Sequence, residues 1–332
     1  RLFTHIVRII LRPARNGNII TLPYCRTMIN YAKIPQQFFI GAYMKKLLCF
    51  VCVSAALLVP VFASAGAKEY EYTKKDISIT AADHEIPATL TLPKGKADEK
   101  FPAVVMLHGN GSNRHEAGMA YDYTAPEMAR AGIATIRFDY IGNGDSKGDY
   151  IDFTYDKGIE DAMSCYRYLC TLKNIDTKRI GIMGWSQGGR LALLTAARND
   201  VFKSVLTWAG AYNQKSNEEE QYEIAKKNGY YEVTYSWRTP LKQSPAYYEN
   251  AMAIDYPAEL AAIKAPILAI TGSEDDVVLP SVAQTIAAGA KNKKSRALIL
   301  EGADHTFLVF SGDLSMLHTL TGETISWFKK TL

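Results

Sequence analysis

Acidic residues are missing from the first 65 positions, which nevertheless hold eight Lys or Arg. The rest of the chain carries 30 basic and 34 acidic residues, so the formal net charge of +4 becomes −4 once that segment is set aside. The bulk of the protein therefore lacks the basic excess that a nucleic-acid partner requires, and none is expected. Cysteine is scarce: of five, Cys25, Cys49 and Cys52 fall in the acid-free segment. Cys165 and Cys170 remain, five apart in a helix-like stretch and about 7.5 Å along its axis, beyond disulfide reach. No grouping of His, Cys and carboxylates has metal-ligand spacing, so neither a metal nor a cofactor is expected. Internal repeats and low-complexity tracts are also lacking, which excludes a solenoid.

What is present begins at Met44-Lys45-Lys46, followed by an apolar run from Leu47 to about Ala63 and small residues at Ala63-Ser64-Ala65. That order predicts a secretory signal peptide over 44–65, cleaved after Ala65 or, nearly as well, after Ala67. A retained membrane anchor is the competing reading, but the run is short for a span of about 20 residues and contains Pro60. Residues 1–43 lack an initial Met, so translation is expected to start at Met44, with the upstream segment non-native. An Arg-rich organelle transit peptide is the alternative. The expected product is an exported domain over 66–332, periplasmic or secreted, with no stable membrane insertion after cleavage.

From Glu69 onward, short apolar runs alternate with helical stretches of ten to fifteen residues. Strands are expected near 70–80, 84–92, 103–107, 133–138, 179–183, 205–208, 267–270 and 297–300. Helices are expected ending at Arg130 and over 156–172 and 187–198. This alternation predicts an α/β fold, a mostly parallel sheet with helices on both faces. Between Trp208 and Ile267 lie nearly sixty residues, more than a crossover needs. The part from Tyr212 to Tyr256 has no Phe but eight Tyr and one Trp, and is expected to be a small cap over the C-terminal strand ends, where open α/β sheets bind ligands.

Strand 179–183 runs straight into Gly184-Trp185-Ser186-Gln187-Gly188, and a helix follows at once. A strand-to-helix elbow of this kind exposes Ser186 on a strained turn, with Gly184 and Gly188 allowing strand and helix to approach closely. A serine needs a base and an acid, expected in the order Ser, Asp, His. His305 lies in the loop after the last expected strand, whereas His318 sits in a helical register. Glu274, Asp275 and Asp276 all follow the preceding strand as candidate acids. His108-Gly109-Asn110-Gly111 follows strand 103–107 and is expected to form an oxyanion hole, the backbone N–H groups of Asn110 and Gln187 being the donors.

With these residues in view, the chain from about Phe101 to Phe328 resembles the α/β-hydrolase superfamily. Within it the chain is most similar to bacterial serine esterases that include the cinnamoyl (feruloyl) esterases. HGNGSNRHE at 108–116, RFDYIGNGDSKG at 137–148, GWSQGG at 184–189 and EGADHTF at 301–307 carry the resemblance. It implies the α/β-hydrolase fold, and aligning the family's G-x-x-D-x-x-V stretch with Gly272, Asp275 and Val278 selects Asp275 as the triad acid. Trp185 is a departure, since these relatives more often carry His beside the nucleophile. The implied reaction is acyl transfer by Ser186, His305 and Asp275 through an acyl-enzyme, on a small-molecule or polysaccharide-linked ester.

Tyr230, Tyr231, Tyr235, Trp237, Tyr247 and Tyr248 are candidates for holding an aromatic acyl group, with Tyr235, Trp237 and Tyr247 foremost. Packing of the cap onto the sheet is the plainer role for any one of them. The Gly142–Gly148 loop has the wrong glycine spacing for a dinucleotide fingerprint and reads as a tight structural loop. Two further functions are kept open: a serine peptidase, for which Glu218–Glu220 would hold a free amine, and a ligand-binding protein without turnover.

Overall fold

The computed structural model describes residues 68–213 and 218–332. The expected signal peptide at 44–65 and the upstream segment 1–43 lie outside the described residues. Among the described residues the strands are β1 (Tyr72–Thr80), β2 (Glu85–Pro93), β3 (Phe101–Leu107), β4 (Ala134–Phe138), β5 (Ile175–Trp185), β6 (Val205–Trp208), β7 (Tyr231–Val233), β8 (Leu241–Gln243), β9 (Ile267–Gly272) and β10 (Arg296–Leu300). The helices are α1 (Ala120–Arg130), α2 (Tyr155–Thr171), α3 (Gln187–Arg198), α4 (Glu218–Asn228), α5 (Pro245–Met252), α6 (Tyr256–Ala262), α7 (Pro280–Gly289) and α8 (Ser315–Thr331).

Eight strands form one sheet in the order β1-β2-β4-β3-β5-β6-β9-β10. The pairs β1/β2 and β2/β4 are antiparallel, and every pairing from β4 to β10 is parallel. The apolar runs of the central strands follow from burial on both faces. Along β3, Ala103, Val105 and Leu107 join a core with Ile136, Ile182 and Leu191, over which α2 and α3 pack. Val104 and Met106 turn to the opposite core with Met183, Leu206 and Phe328, closed by α1 and α8. Each Val, Leu, Ile, Phe or Met among them, taken out of water, contributes about 1.5–3 kcal/mol. Among the described residues no helix is long and apolar enough to cross a membrane.

The strand order decides where a ligand can sit. The chain leaves β3 outward to β4, then crosses back to β5 on the other side of β3. At that reversal the loops after β3 and β5 diverge and open a crevice at the C-terminal strand ends. The insertion between β6 and β9 covers it with α4, the β7/β8 hairpin, α5 and α6. It is tied down by Asn250, which accepts from the Asp156 N–H (2.9 Å) and donates to the Asp156 carboxylate (2.7 Å). Arg238 also donates to the Gly111 carbonyl and to Asn143 Oδ1. Ser244 caps α5 through the Tyr247 N–H, with Pro245 in its first turn, which aims the face bearing Tyr247 and Tyr248 into the core.

Candidate active site

Ser186 stands between β5 and α3 at φ 53°, ψ −118°, a region that costs a non-glycine residue about 1–3 kcal/mol. The surroundings hold it there. Its N–H donates to the Trp208 carbonyl at 2.9 Å, and its own carbonyl accepts from Gly189, Arg190 and Ala211. A Cβ on Gly184 would lie 2.1 Å from the Gly188 carbonyl oxygen, and one on Gly188 would lie 2.3 Å from that of Leu107. Both positions therefore require glycine.

His305 arrives on the loop after β10. A Cβ on Gly272 would fall 2.0 Å from the Ala303 carbonyl oxygen, so the loops after β9 and β10 are pressed together, and Glu274 N–H donates to Ala303 at 2.9 Å. That contact brings His305 Nδ1 to 3.1 and 3.0 Å from the two Asp275 oxygens. His305 Nε2 lies 3.2 Å from Ser186 Oγ. Asp275 is buried and its Oδ1 also accepts the N–H groups of Val277 (3.0 Å) and Val278 (2.7 Å). Glu274 and Asp276 are exposed. Asp304 Oδ1 fastens the turn beyond by accepting from Thr306 and Leu308.

The indole of Trp185 donates to the His305 carbonyl at 3.1 Å and packs edge-on against Trp208. The residue before Ser186 thus touches the loop that carries His305 directly. His318 is exposed on α8 and stacks on Tyr123. His108 is buried, which pushes its imidazole down to about 4. Its Nε2 accepts the Tyr140 N–H, so Nδ1 carries the proton and donates to the Gly109 carbonyl at 2.8 Å.

The N–H of Gly109 is taken by Glu116 Oε1. Asn110 and Gln187 both line the cavity that contains Ser186, and the Gln187 N–H, at the first position of α3, has no acceptor within the helix. The cavity has a volume of about 250 Å³ and is walled by Tyr155, Tyr247, Tyr248, Arg190, Gln243 and Glu218. Burial raises the Tyr247 phenol well above its ordinary value. Its oxygen accepts from Gln187 Nε2 at 3.3 Å and lies 3.2 Å from the Tyr155 hydroxyl. Arg190 in turn donates to Tyr155 at 2.7 Å.

Of the three foremost cap candidates, Tyr247 lines this cavity, whereas Tyr235 and Trp237 do not. Tyr235 accepts from Asn110 Nδ2 at 2.7 Å and its phenol is pushed up to about 12 by burial. Trp237 is 62% exposed and rests on Tyr235. Tyr155, Arg190 and Glu116 were not singled out for the site by the sequence. Glu116 ends the HGNGSNRHE stretch and Arg190 lies one turn into α3, but no local pattern points either toward the cavity.

A serine on a strained strand-to-helix turn after β5, a buried aspartate after β9, a histidine after β10 and a glycine loop after β3, on a sheet of this order, define an α/β hydrolase. The chain belongs to the prolyl oligopeptidase family, whose model matches residues 120–332. Among solved structures, Est1E from Butyrivibrio proteoclasticus with bound ferulic acid is similar at TM-score 0.63 and 21% identity, over 77% of this chain and 98% of that one. At that identity the likeness is one of fold. Esterase EstD of Thermotoga maritima is 26% identical over 245 residues, 64% of this chain and 57% of the relative. The quorum-quenching protein AidA of Acinetobacter baumannii is 31% identical over 133 residues, 40% of this chain and 42% of the relative. A 31.7 kDa Escherichia coli relative is likewise spanned over 41% of its length.

Proposed function

We propose that this hydrolase cleaves carboxylic esters through Ser186, His305 and Asp275. The observation that carries the reading is the unbroken line from Asp275 through His305 to Ser186 Oγ, with contacts of 3.0 and 3.2 Å. Ser186 Oγ attacks the ester carbonyl as His305 Nε2 takes its proton. Asp275 holds the Nδ1–H tautomer and stabilises the imidazolium. The tetrahedral oxyanion is received by the N–H groups of Asn110 and Gln187, each such donor being worth about 2.7–4 kcal/mol of barrier. His305 then protonates the departing alcohol, and water, deprotonated by the same nitrogen, releases the acid and restores Ser186.

The acyl group sits in the tyrosine-walled cavity, which suits an aromatic acid with a hydroxyl to bond, such as a hydroxycinnamate. The ferulic acid bound to the structurally similar Est1E supports this choice. The signal peptide expected over 44–65 would deliver the enzyme outside the cytoplasm, to ester-linked polysaccharide; cell fractionation tests that. A second reading, a serine peptidase of aminopeptidase or acyl-peptidase type, is favoured by the family model, and the aminopeptidase form by Glu218 at the cavity wall, a carboxylate that suits a free amine.

The test is hydrolysis of methyl ferulate, p-nitrophenyl butyrate and alanine p-nitroanilide by the protein and by Ser186→Ala. Ester turnover abolished in the variant is the expected result. Anilide turnover without ferulate turnover would move the assignment to the peptidase. Activity that survives Ser186→Ala would remove Ser186 from the chemistry.

A further inference from the structure

The loop after β3 is closed by a buried carboxylate that the reaction above does not use. Glu116 is 9% exposed. Its Oε1 accepts the N–H of Gly109 at 2.5 Å, and its Oε2 accepts the Ser112 hydroxyl at 2.6 Å and the Ala117 N–H at 2.8 Å. The residue sits at φ 63°, ψ 173°, an arrangement that a non-glycine residue adopts at a cost and that clusters at functional sites. Gly109 lies between this carboxylate and the nucleophile. A Cβ built on it would be 3.2 Å from Glu116 Oε1, 3.5 Å from Ser186 Cβ and 3.5 Å from the Trp185 carbonyl oxygen.

Resting on the serine-hydrolase reading, we propose that Glu116 is a positioning residue for the oxyanion hole. By holding the Gly109 N–H it fixes the backbone so that the next amide, that of Asn110, faces the developing oxyanion. Burial raises the Glu116 carboxyl above its usual range, against the pull of its three donors and of the His305 charge. The other groups bearing on His305 are Asp275, the Ser186 hydroxyl and Asp304. Those bearing on Glu116 are the buried phenols of Tyr121 and Tyr140.

Glu116→Gln and Glu116→Asp in the full chain test the proposal. Gln keeps the shape and removes the charge, but its amide group meets donors on both sides. Its kcat for p-nitrophenyl butyrate should fall about 100-fold, the usual consequence of a lost oxyanion contact, with KM little changed. Asp keeps the charge but withdraws it from Gly109, so its kcat should also fall with KM little changed. A merely structural role would lower the melting temperature of both variants without separating kcat from KM.

Folded Glu116→Gln with kcat within threefold of the parent would overturn the proposal. Should Glu116→Gln fail to fold, Glu116→Asp with unchanged kcat overturns it equally. If the parent hydrolyses no ester, the ester assignment fails by itself. The rate of Ser186 labelling by a fluorophosphonate then reads the same hole and base, and equal labelling of parent and Glu116→Gln refutes the role. A parent that is not labelled at all refutes both.

Discussion

Replacing Asp275 by Asn probes the site by changing one atom, and the structure dictates which atom changes. Oδ1 accepts the backbone N–H groups of Val277 and Val278 at 3.0 and 2.7 Å. An amide NH₂ placed there would meet two donors in a buried site, at about 1–3 kcal/mol for each group left unsatisfied. The Asn oxygen therefore keeps that position, and its NH₂ takes the place of Oδ2. It then stands 3.0 Å from His305 Nδ1 and 3.3 Å from Thr271 Oγ1, and Thr271 can turn its hydroxyl to the Val278 carbonyl. A donor at that distance opposes an Nδ1–H, and the oxygen retained at Oδ1 is the longer contact, at 3.1 Å, and is already shared by the Val277 and Val278 N–H groups. The proton of the neutral imidazole moves to Nε2, 3.2 Å from Ser186 Oγ, where it cannot accept the serine proton. The expected loss is about 10⁴ in kcat, or about 5 kcal/mol of barrier at 1.36 kcal/mol per tenfold. KM should be nearly constant because Asp275 does not line the cavity. The assay is steady-state hydrolysis of p-nitrophenyl butyrate, with circular dichroism to establish that Asp275→Asn is folded. A folded variant retaining more than a tenth of the parent kcat would refute the tautomer reasoning.

Trp185→Phe keeps the aromatic packing but removes the N–H that donates to the His305 carbonyl. A loss of about 1 kcal/mol of positioning should lower kcat by several-fold, and an unchanged kcat would show that the loop holds itself. Gly184→Ala and Gly188→Ala would each set a methyl 2.1–2.3 Å from backbone oxygens. Urea denaturation should show about 3 kcal/mol of destabilisation, the upper end for overpacking, whereas parent-like midpoints would mean that the elbow yields easily. Away from the site, His84 lies 3.2 Å from the buried Asp161 and 2.7 Å from Asp83, and chiefly the Asp161 contact raises it to about 9. The folded state thus binds this proton more tightly than the unfolded chain, whose histidine titrates near about 6.5. The stabilisation is complete below that pH and is lost as the pH climbs through about 9. Scanning calorimetry should record a melting temperature that falls across this window, and His84→Gln should flatten the fall; equal slopes in both proteins would dismiss the pair as its cause.

The sequence by itself determined the elements and the local chemistry. Apolar runs such as Ala103–Leu107 mark strands buried on two faces, because such a strand has no side left for water. The glycines at 184 and 188 mark a turn too tight for a Cβ, and the positions of His305 and the Glu274–Asp276 carboxylates after successive strands follow from chain order. These features depend on a residue and its near neighbours, so a one-dimensional pattern contains them. Tertiary structure alone decided which groups meet. Three consecutive carboxylates follow β9, and packing of Gly272 against Ala303 turns Asp275 inward while its neighbours remain in water. In the cap, Tyr247 faces the cavity because Ser244 and Pro245 start a helix that buries it, whereas Trp237 lies outward beyond Tyr235. Glu116 reaches Gly109, and Trp185 reaches the carbonyl of His305 across 120 positions. Periodicity records the burial of an element on its own neighbours. The direction of a loop side chain is set by how the sheet order brings separate loops together, and that order is a property of the whole fold.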